Sequence, residues 1–378
     1  MDQQEIFNTL ILTRISYFNL SPMLELYRKT GSATAIVEHR DHLQELQPDL
    51  TPEGACHIQG LFGDFDAVCR RVEEEMAWME ANGVRALTLL DADYPQRLKD
   101  CPDAPLALFY RGTADLNKSH VVSIVGTRHI TVYGQDVIRR IMKELQSLLP
   151  DTLIVSGLAY GVDINAHRQA LDNGMETVGV LAHGLDYLYP PRHLDTAKKM
   201  LLQGGLLTEF MTHTNADKMN FVRRNRITAG IADAVVLIES AAHGGGLITA
   251  RIANSYGREV LAVPGPLTAP YSEGCNNLIR DNGATLLTSA EDILHVCRWE
   301  NDRKVTEARK QGIPRELFPQ LSPDEMKIVN FLKRQNDQQK NIIALSTGLG
   351  IAAVSSLLFQ LEMKGVVKFG AGDIYHLL

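Results

Sequence analysis

No two of the five cysteines (Cys56, Cys69, Cys101, Cys275 and Cys297) are spaced as CxxC. Zinc ribbons and paired redox thiols need that spacing, so no metal site is expected. An odd number of irregularly placed cysteines reads as reduced thiols of a cytosolic protein. Long apolar runs are missing too, and none approaches the ~18–20 residues of a membrane span. The opening MDQQE has neither the positive charge nor the apolar stretch of a signal peptide. A soluble, cytoplasmic chain without a membrane partner is expected. A basic surplus is also lacking: 45 acidic residues face 38 basic ones, for a net charge of −7 over 378 residues. A protein that coats nucleic acid with its whole surface should be basic. Any anion must therefore be held by a local cluster of cations.

What is present falls into zones by pattern. Residues 1–82 read as a small helical module of the helix-hairpin-helix or SAM-like kind. Leu10, Ile11, Ile15 and Phe18 form one apolar helical stripe, and a charged helix over 73–81 closes at Asn82-Gly83. Residues 83–298 form the core. Short apolar strands at 121–126, 152–157, 177–183, 206–210, 233–239, 259–263 and 284–288 alternate with helix-length stretches at 135–149, 162–173 and 247–256. Strands that are β-branched and apolar on both faces are those of a buried parallel sheet. The alternation predicts an α/β fold, a Rossmann-like, doubly wound, mostly parallel sheet. Residues 299–318 are charged, lack periodicity and read as a linker. From 319 to 378 a capping box at Ser322–Glu325, three helical segments and a terminal hairpin give the element order of a winged helix. Its third helix, with Ser355, Ser356 and Gln360 on the polar face, has no charge over 351–360. Protein docking or dimerisation suits it at least as well as duplex reading.

Doubly wound sheets bind ligands beyond the carboxyl ends of their strands. Three such ends are glycine-rich: Gly126-Thr127-Arg128, Ser156-Gly157 running on to Gly161 and Asp163, and HGGGLIT from His243 through Gly245 and Gly246 to Thr249. One such loop is explained by a tight turn. Three at one sheet edge favour an anion held by main-chain N–H groups. Neither GxGxxG nor GxxxxGK[ST] occurs, which disfavours dinucleotide dehydrogenases and P-loop NTPases. Arg128 stands where the dinucleotide motif needs glycine, and its fork suits a phosphate diester. The densest basic run holds Lys218, Arg223, Arg224 and Arg226, with Phe221 and Asn225 among them. That combination suits a single strand, with cations for phosphates and a ring for a base. Taken alone, it reads slightly better as a solvated helix face with one buried aromatic. Asp163 and His167 lack a third metal ligand, and Ser156, Asp163 and His167 lack a GxSxG elbow. Capping and a satisfied core histidine explain them more simply.

Longer segments resemble the DprA family, also called Smf. They are LDADYPQRL at 90–98, APLALFYRG at 104–112, IVGTR at 124–128, SGLAYGVD at 156–163, YP at 189–190, RNRI at 224–227, GLITA at 246–250, VPG at 263–265 and GCNNLI at 274–279. The likeness runs unbroken over roughly 85–295. It implies a non-enzymatic protein without cofactors that binds single-stranded DNA, acts as a homodimer through its Rossmann-like core, and loads RecA during natural transformation. The family's DNA pocket maps onto Gly126, Thr127, Arg128, Lys218, Phe221, Arg224, Asn225 and Gly245-Gly246. The strand-end reading adds Ser156, Gly157, Arg226 and Thr249. The chain departs from the pattern at Tyr160, where the family usually carries arginine or a similar polar residue, at Val222 for proline, at Gly244 to Gly246 for a Ser-Gly-Ser type loop, and at 18–21 (FNLS), which lacks the glycine turn. The alternative is a phosphoribohydrolase-like nucleotide enzyme, whose PGGxGTxxE motif carries a catalytic glutamate. HGGGLITA has no acid. A purely structural adaptor is the third reading.

Overall fold

Side-chain caps start the N-terminal helices. Asp2, Ser32, Thr51 and Asp64 each accept a hydrogen bond from a main-chain N–H two or three residues on. The computed structural model describes residues 2–300, 321–336, 338–364, 366–370 and 374–377. They fall into two compact units. The first opens with α1 (Gln3–Ile15), α2 (Leu20–Thr30), α3 (Ala33–Glu38), α4 (Leu43–Leu46), α5 (Pro52–Gly60) and α6 (Phe65–Asn82). Gly83 ends α6, as its Asn-Gly signal predicts.

The sheet follows: β1 (Arg85–Thr88), α7 (Gln96–Lys99), β2 (Ala107–Gly112), β3 (Val121–Val125), α8 (Val132–Leu148), β4 (Leu153–Ser156), α9 (Val162–Asp172), β5 (Thr177–Val180) and a 3-10 turn at Pro191–His193. Then come α10 (Leu194–Leu202), β6 (Gly204–Thr208), α11 (Lys218–Gly230), β7 (Ala234–Leu237), α12 (Gly245–Ser255), β8 (Glu259–Ala262), α13 (Glu273–Arg280), β9 (Thr285–Leu286) and α14 (Ala290–Val296). The strand order is β1-β2-β6-β5-β4-β3-β7-β8-β9. All neighbours from β6 to β9 are parallel; β1–β2 and β2–β6 are antiparallel. This is the α/β, mostly parallel sheet expected. The pattern did not predict β1 and β2, and the expected strand at 284–288 shrinks to two exposed residues.

Period-two alternation explains the two layers. Val122, Ile124, Ala234 and Val236 pack with Ile138, Ile141 and Leu145 of α8. Val125, Val235 and Leu237 point the other way, onto Leu247, Ala250 and Ala253 of α12. Each fully buried aliphatic contributes about 1.5–3 kcal/mol, so this double-faced burial fixes the register of the central strands. On the antiparallel side, Leu10, Tyr27, Val72 and Met79 share one apolar core with Leu87, Phe109 and Tyr110. The helical region therefore packs directly onto β1 and β2. The strand order reverses between β3 and β7, and the crevice beyond their carboxyl ends is where a ligand belongs.

The second unit is built by α15 (Pro323–Arg334), β10 (Gln338–Gln339), α16 (Lys340–Thr347), α17 (Ile351–Met363), β11 (Val367–Gly370) and β12 (Ile374–Leu377), with sheet order β10-β12-β11. The capping box at Ser322 and Glu325 is present, and buried Glu325 also takes an ion pair from Lys364 at 2.7 Å. Over 351–360 the exposed residues of α17 include Ile351, Phe359, Ser356 and Gln360, none charged; exposed Glu362 lies in its last turn. Apart from Trp299 and Glu300, the expected linker lies outside the described residues, as does the turn at 371–373. Among the described residues no single helix is long and apolar enough to cross a membrane.

Candidate nucleic-acid interface

At the reversal point the three glycine loops and α11 enclose a cavity of about 530 Å³. Gly126, Thr127 and Arg128 form one wall, Gly157, Ala159 and Asp163 the second, and His243 to Gly246 with Ile248 and Thr249 the third. Lys218, Phe221, Val222, Arg224 and Asn225 of α11 close it. Eleven of the thirteen site residues expected from sequence are thus brought together. Close packing explains the glycines: a Cβ on Gly246 would stand 2.6 Å from Leu237 Cδ1 and 3.2 Å from Gly126 Cα. At the start of α12, Gly244 offers no side-chain cap. The first-turn N–H groups of that helix therefore bring partial positive charge to the wall that Gly245 and Gly246 line.

Arg224 forms the floor. It is only 4% exposed, donates to Val180 O at 2.5 Å, and its Nε has no partner among the described residues. Burial lowers its pKa, and neighbouring Arg128 pushes the same way, while Asp163 opposes the shift. Burial likewise raises Asp163, against the pull of Arg224 and of N–H bonds from Gly157 (3.1 Å) and Ala159 (3.4 Å). A buried guanidinium facing one carboxylate whose oxygen is shared with two amides is under-compensated. A second anion completes it. Two guanidinium groups flank Phe221, Arg128 at 4.9 Å from the ring centroid and Arg224 at 5.9 Å. The ring therefore orients cations as well as offering a stacking surface.

Ser156 and Arg226 are corrections to the sequence reading: neither lines the cavity. Ser156 is buried and donates to Ile124 O at 2.5 Å, tying β4 to β3. Arg226 leaves by the opposite face of α11, pairing with Glu209 and donating to Asp103 O. Arg223 also faces away. It donates to Tyr17 O at 2.6 Å, lies 4.2 Å over the Tyr17 ring and pairs with Glu209 at 3.2 Å. Tyr17 OH donates to Asn220 Oδ1 at 2.9 Å. The α1–α2 turn thus holds the outer face of the helix whose inner face forms the cavity. Sequence reading missed this clamp, and no motif signals it. It also missed Asp163 as the floor's carboxylate, although its position after the Gly161 turn was noted.

Among the described residues His167 bonds to neither Ser156 nor Asp163, so the three groups do not form a hydrolase triad. His167 is fully buried, with Nδ1 2.7 Å from Thr177 Oγ1 and Nε2 unpartnered. Burial holds its pKa down to about 3, with help from nearby His193 and Arg224. The unfolded chain binds this proton near pH 6.5 and the folded chain does not, so stability falls as pH drops below about 6.5 and continues to fall toward 3. Between pH 7.5 and 5 the loss is roughly 2 kcal/mol. In urea unfolding at the two pH values, His167→Gln should remove about that much of the difference. An unchanged difference would show that His167 is not its source.

The family described as DNA recombination-mediator protein A matches residues 85–298. The chain belongs to the DprA/Smf family. A relative is the putative DNA processing protein DprA of Mycobacterium tuberculosis, 33% identical over 79% of this chain and 78% of its own length. Among solved structures, DprA from Streptococcus pneumoniae superposes with a TM-score of 0.64 at 30% identity, over 76% of this chain and 97% of that one. DNA processing protein A from Helicobacter pylori, described with a single-stranded DNA binding mode, gives 0.52 at 25% identity over 57% and 96%. The match to the DprA family contains every residue of the cavity.

Proposed function

We propose that this DprA-family chain binds single-stranded DNA in the cavity beyond β3 and β7 and passes the strand to RecA. The buried Arg224 with its unpartnered Nε carries the reading, because such a group calls for an anion. Exposed Arg128 and Lys218 take the phosphates on either side, and first-turn N–H groups of α12 add neutral donors. The mechanism is positional and needs no bond to be made or broken. The H. pylori relative's described binding mode supports the choice of a single strand. A homodimer through the Rossmann-like core would place two cavities on one strand and raise avidity through effective concentration. The second unit has the element order of a winged helix, and α17, which exposes no basic side chain over 351–362, suits a protein partner better than a duplex groove.

Titrating the full chain with labelled single-stranded and duplex DNA of equal length tests this. A preference for the single strand of more than about tenfold is expected, since only unstacked bases offer free faces. Equal affinities would overturn the reading. A nucleotide-hydrolysing enzyme is disfavoured by the cavity wall itself, where His243 to Thr249 present no acid and the Asp163 carboxylate accepts the Gly157 and Ala159 N–H groups.

A further inference from the structure

Within the cavity the Phe221 ring already carries Arg128 over it at 4.9 Å. Aromatic faces free for a base lie just outside. Tyr189 packs edge-on against Phe221 with centroids 6.0 Å apart, yet its side chain is 41% exposed. Tyr160 directly follows Ala159 of the cavity wall and is 40% exposed. The two tyrosines belong to loops that are tied together. His193 Nδ1 lies 2.8 Å from Leu158 O, and the Tyr160 ring stands edge-on to His193 at 5.0 Å. Both rings are therefore mounted on a fixed scaffold at the carboxyl ends of β4 and β5. Neither phenol hydroxyl makes a hydrogen bond or ion pair among the described residues. Arg192, beside His193, is exposed and has no ion pair among them either.

An exposed aromatic face beside a phosphate-binding cavity is what an unstacked base needs. We infer that Tyr189 and Tyr160 form a second, base-stacking subsite for single-stranded nucleic acid, with Arg192 beside it as a phosphate contact. This rests on the cavity holding a strand. It goes further in assigning the bases to a shelf distinct from the phosphate-holding floor. A peptide occupant is disfavoured because the shelf is continuous with a cavity lined by Arg128, Lys218 and Arg224. The strand leaves the cavity past Phe221 and lays its next bases on Tyr189 and then Tyr160.

The test compares the full chain with the Tyr160→Ala/Tyr189→Ala and Tyr160→Phe/Tyr189→Phe double variants. Each is titrated with a 20-mer of oligothymidylate and with a base-free 20-mer of the same phosphate backbone. The unaltered chain should prefer the thymidylate strand by roughly tenfold or more, and the alanine variant should lose most of that preference. Binding of the base-free strand should be unchanged. The phenylalanine variant should keep the preference, because stacking needs only the ring. Both side chains are exposed, so the melting temperatures should agree. An alanine variant that folds normally and still prefers thymidylate as strongly as the parent would overturn the shelf. Failure of the cavity reading looks different, as Arg224→Met would then leave both strands bound as before.

Discussion

Replacing Arg224 with methionine should lower affinity for single-stranded DNA by at least about a hundredfold. Methionine keeps much of the length and removes the charge. Among the described residues the buried guanidinium is hydrogen-bonded only to Val180 O, which leaves its remaining N–H groups for a phosphate. Charge-assisted bonds contribute about 1.5–3 kcal/mol each, and two of them account for the expected loss. Stability should fall as well, because fully buried Asp163 loses the nearby positive charge that favours its ionised form. The two effects can be separated. Adding Asp163→Asn to Arg224→Met removes the orphaned charge, so the double variant should regain stability in urea unfolding and stay defective in DNA binding. Arg224→Lys should recover part of the affinity only, since an ammonium cannot present a planar fork. If Arg224→Met binds DNA like the parent, the floor of the cavity is not the phosphate site.

Gly161→Ala should be a strongly damaging single-methyl addition beside the cavity. Gly161 sits at φ 78° and ψ −119°, where L side chains are strained. A Cβ there would lie 2.6 Å from the Arg128 carbonyl carbon and 2.7 Å from Arg128 Cα, and nearer still to Thr127 O. These are backbone atoms and cannot swing aside. Thr127 O also accepts the Val162 N–H at 3.1 Å, so pushing the loop away breaks the bond that starts α9. A loss of more than about 3 kcal/mol is expected, together with at least a tenfold loss of DNA affinity as Arg128 moves. Gly245→Ala provides the contrast. No atom lies within 4 Å of a Cβ at Gly245, and the position is helical, so stability should hold or rise slightly. Equal stability of both variants would show that the Gly161 turn does not hold the Arg128 loop.

The central sheet was legible because its strands are buried on both faces, and such runs stand out from the helices between them. Glycine clustering at strand ends marked the cavity for the same physical reason, the need for main chain to approach main chain. The antiparallel strands β1 and β2 were hidden. They flank a proline-punctuated stretch with no tight turn, and their burial depends on the N-terminal helices rather than on local alternation. Arg226 was misplaced because the basic run was read linearly. On a helix Lys218, Phe221, Asn225 and Thr228 share a face at three- and four-residue spacing. Asn220, Arg223 and Arg226 recur every three residues on the other side. Ser156 was misplaced because a strand-end hydroxyl can serve its own sheet as readily as a ligand. The Tyr17 clamp joins residues about 200 positions apart, and no local pattern encodes such a contact.

The net charge of −7 makes the central claim sharp, because only local cations can draw DNA in. Arg128, Lys218 and Arg224 are the basic side chains lining the cavity. With about three phosphates neutralised, log affinity for a single strand should fall against log salt with a slope near −2. The decisive measurement is that slope for the full chain and for Arg128→Ala/Lys218→Ala at matched pH. A slope near −2 is expected, shrinking by more than half in the double variant. A slope near zero, or one that the double variant leaves unchanged, would contradict the central claim.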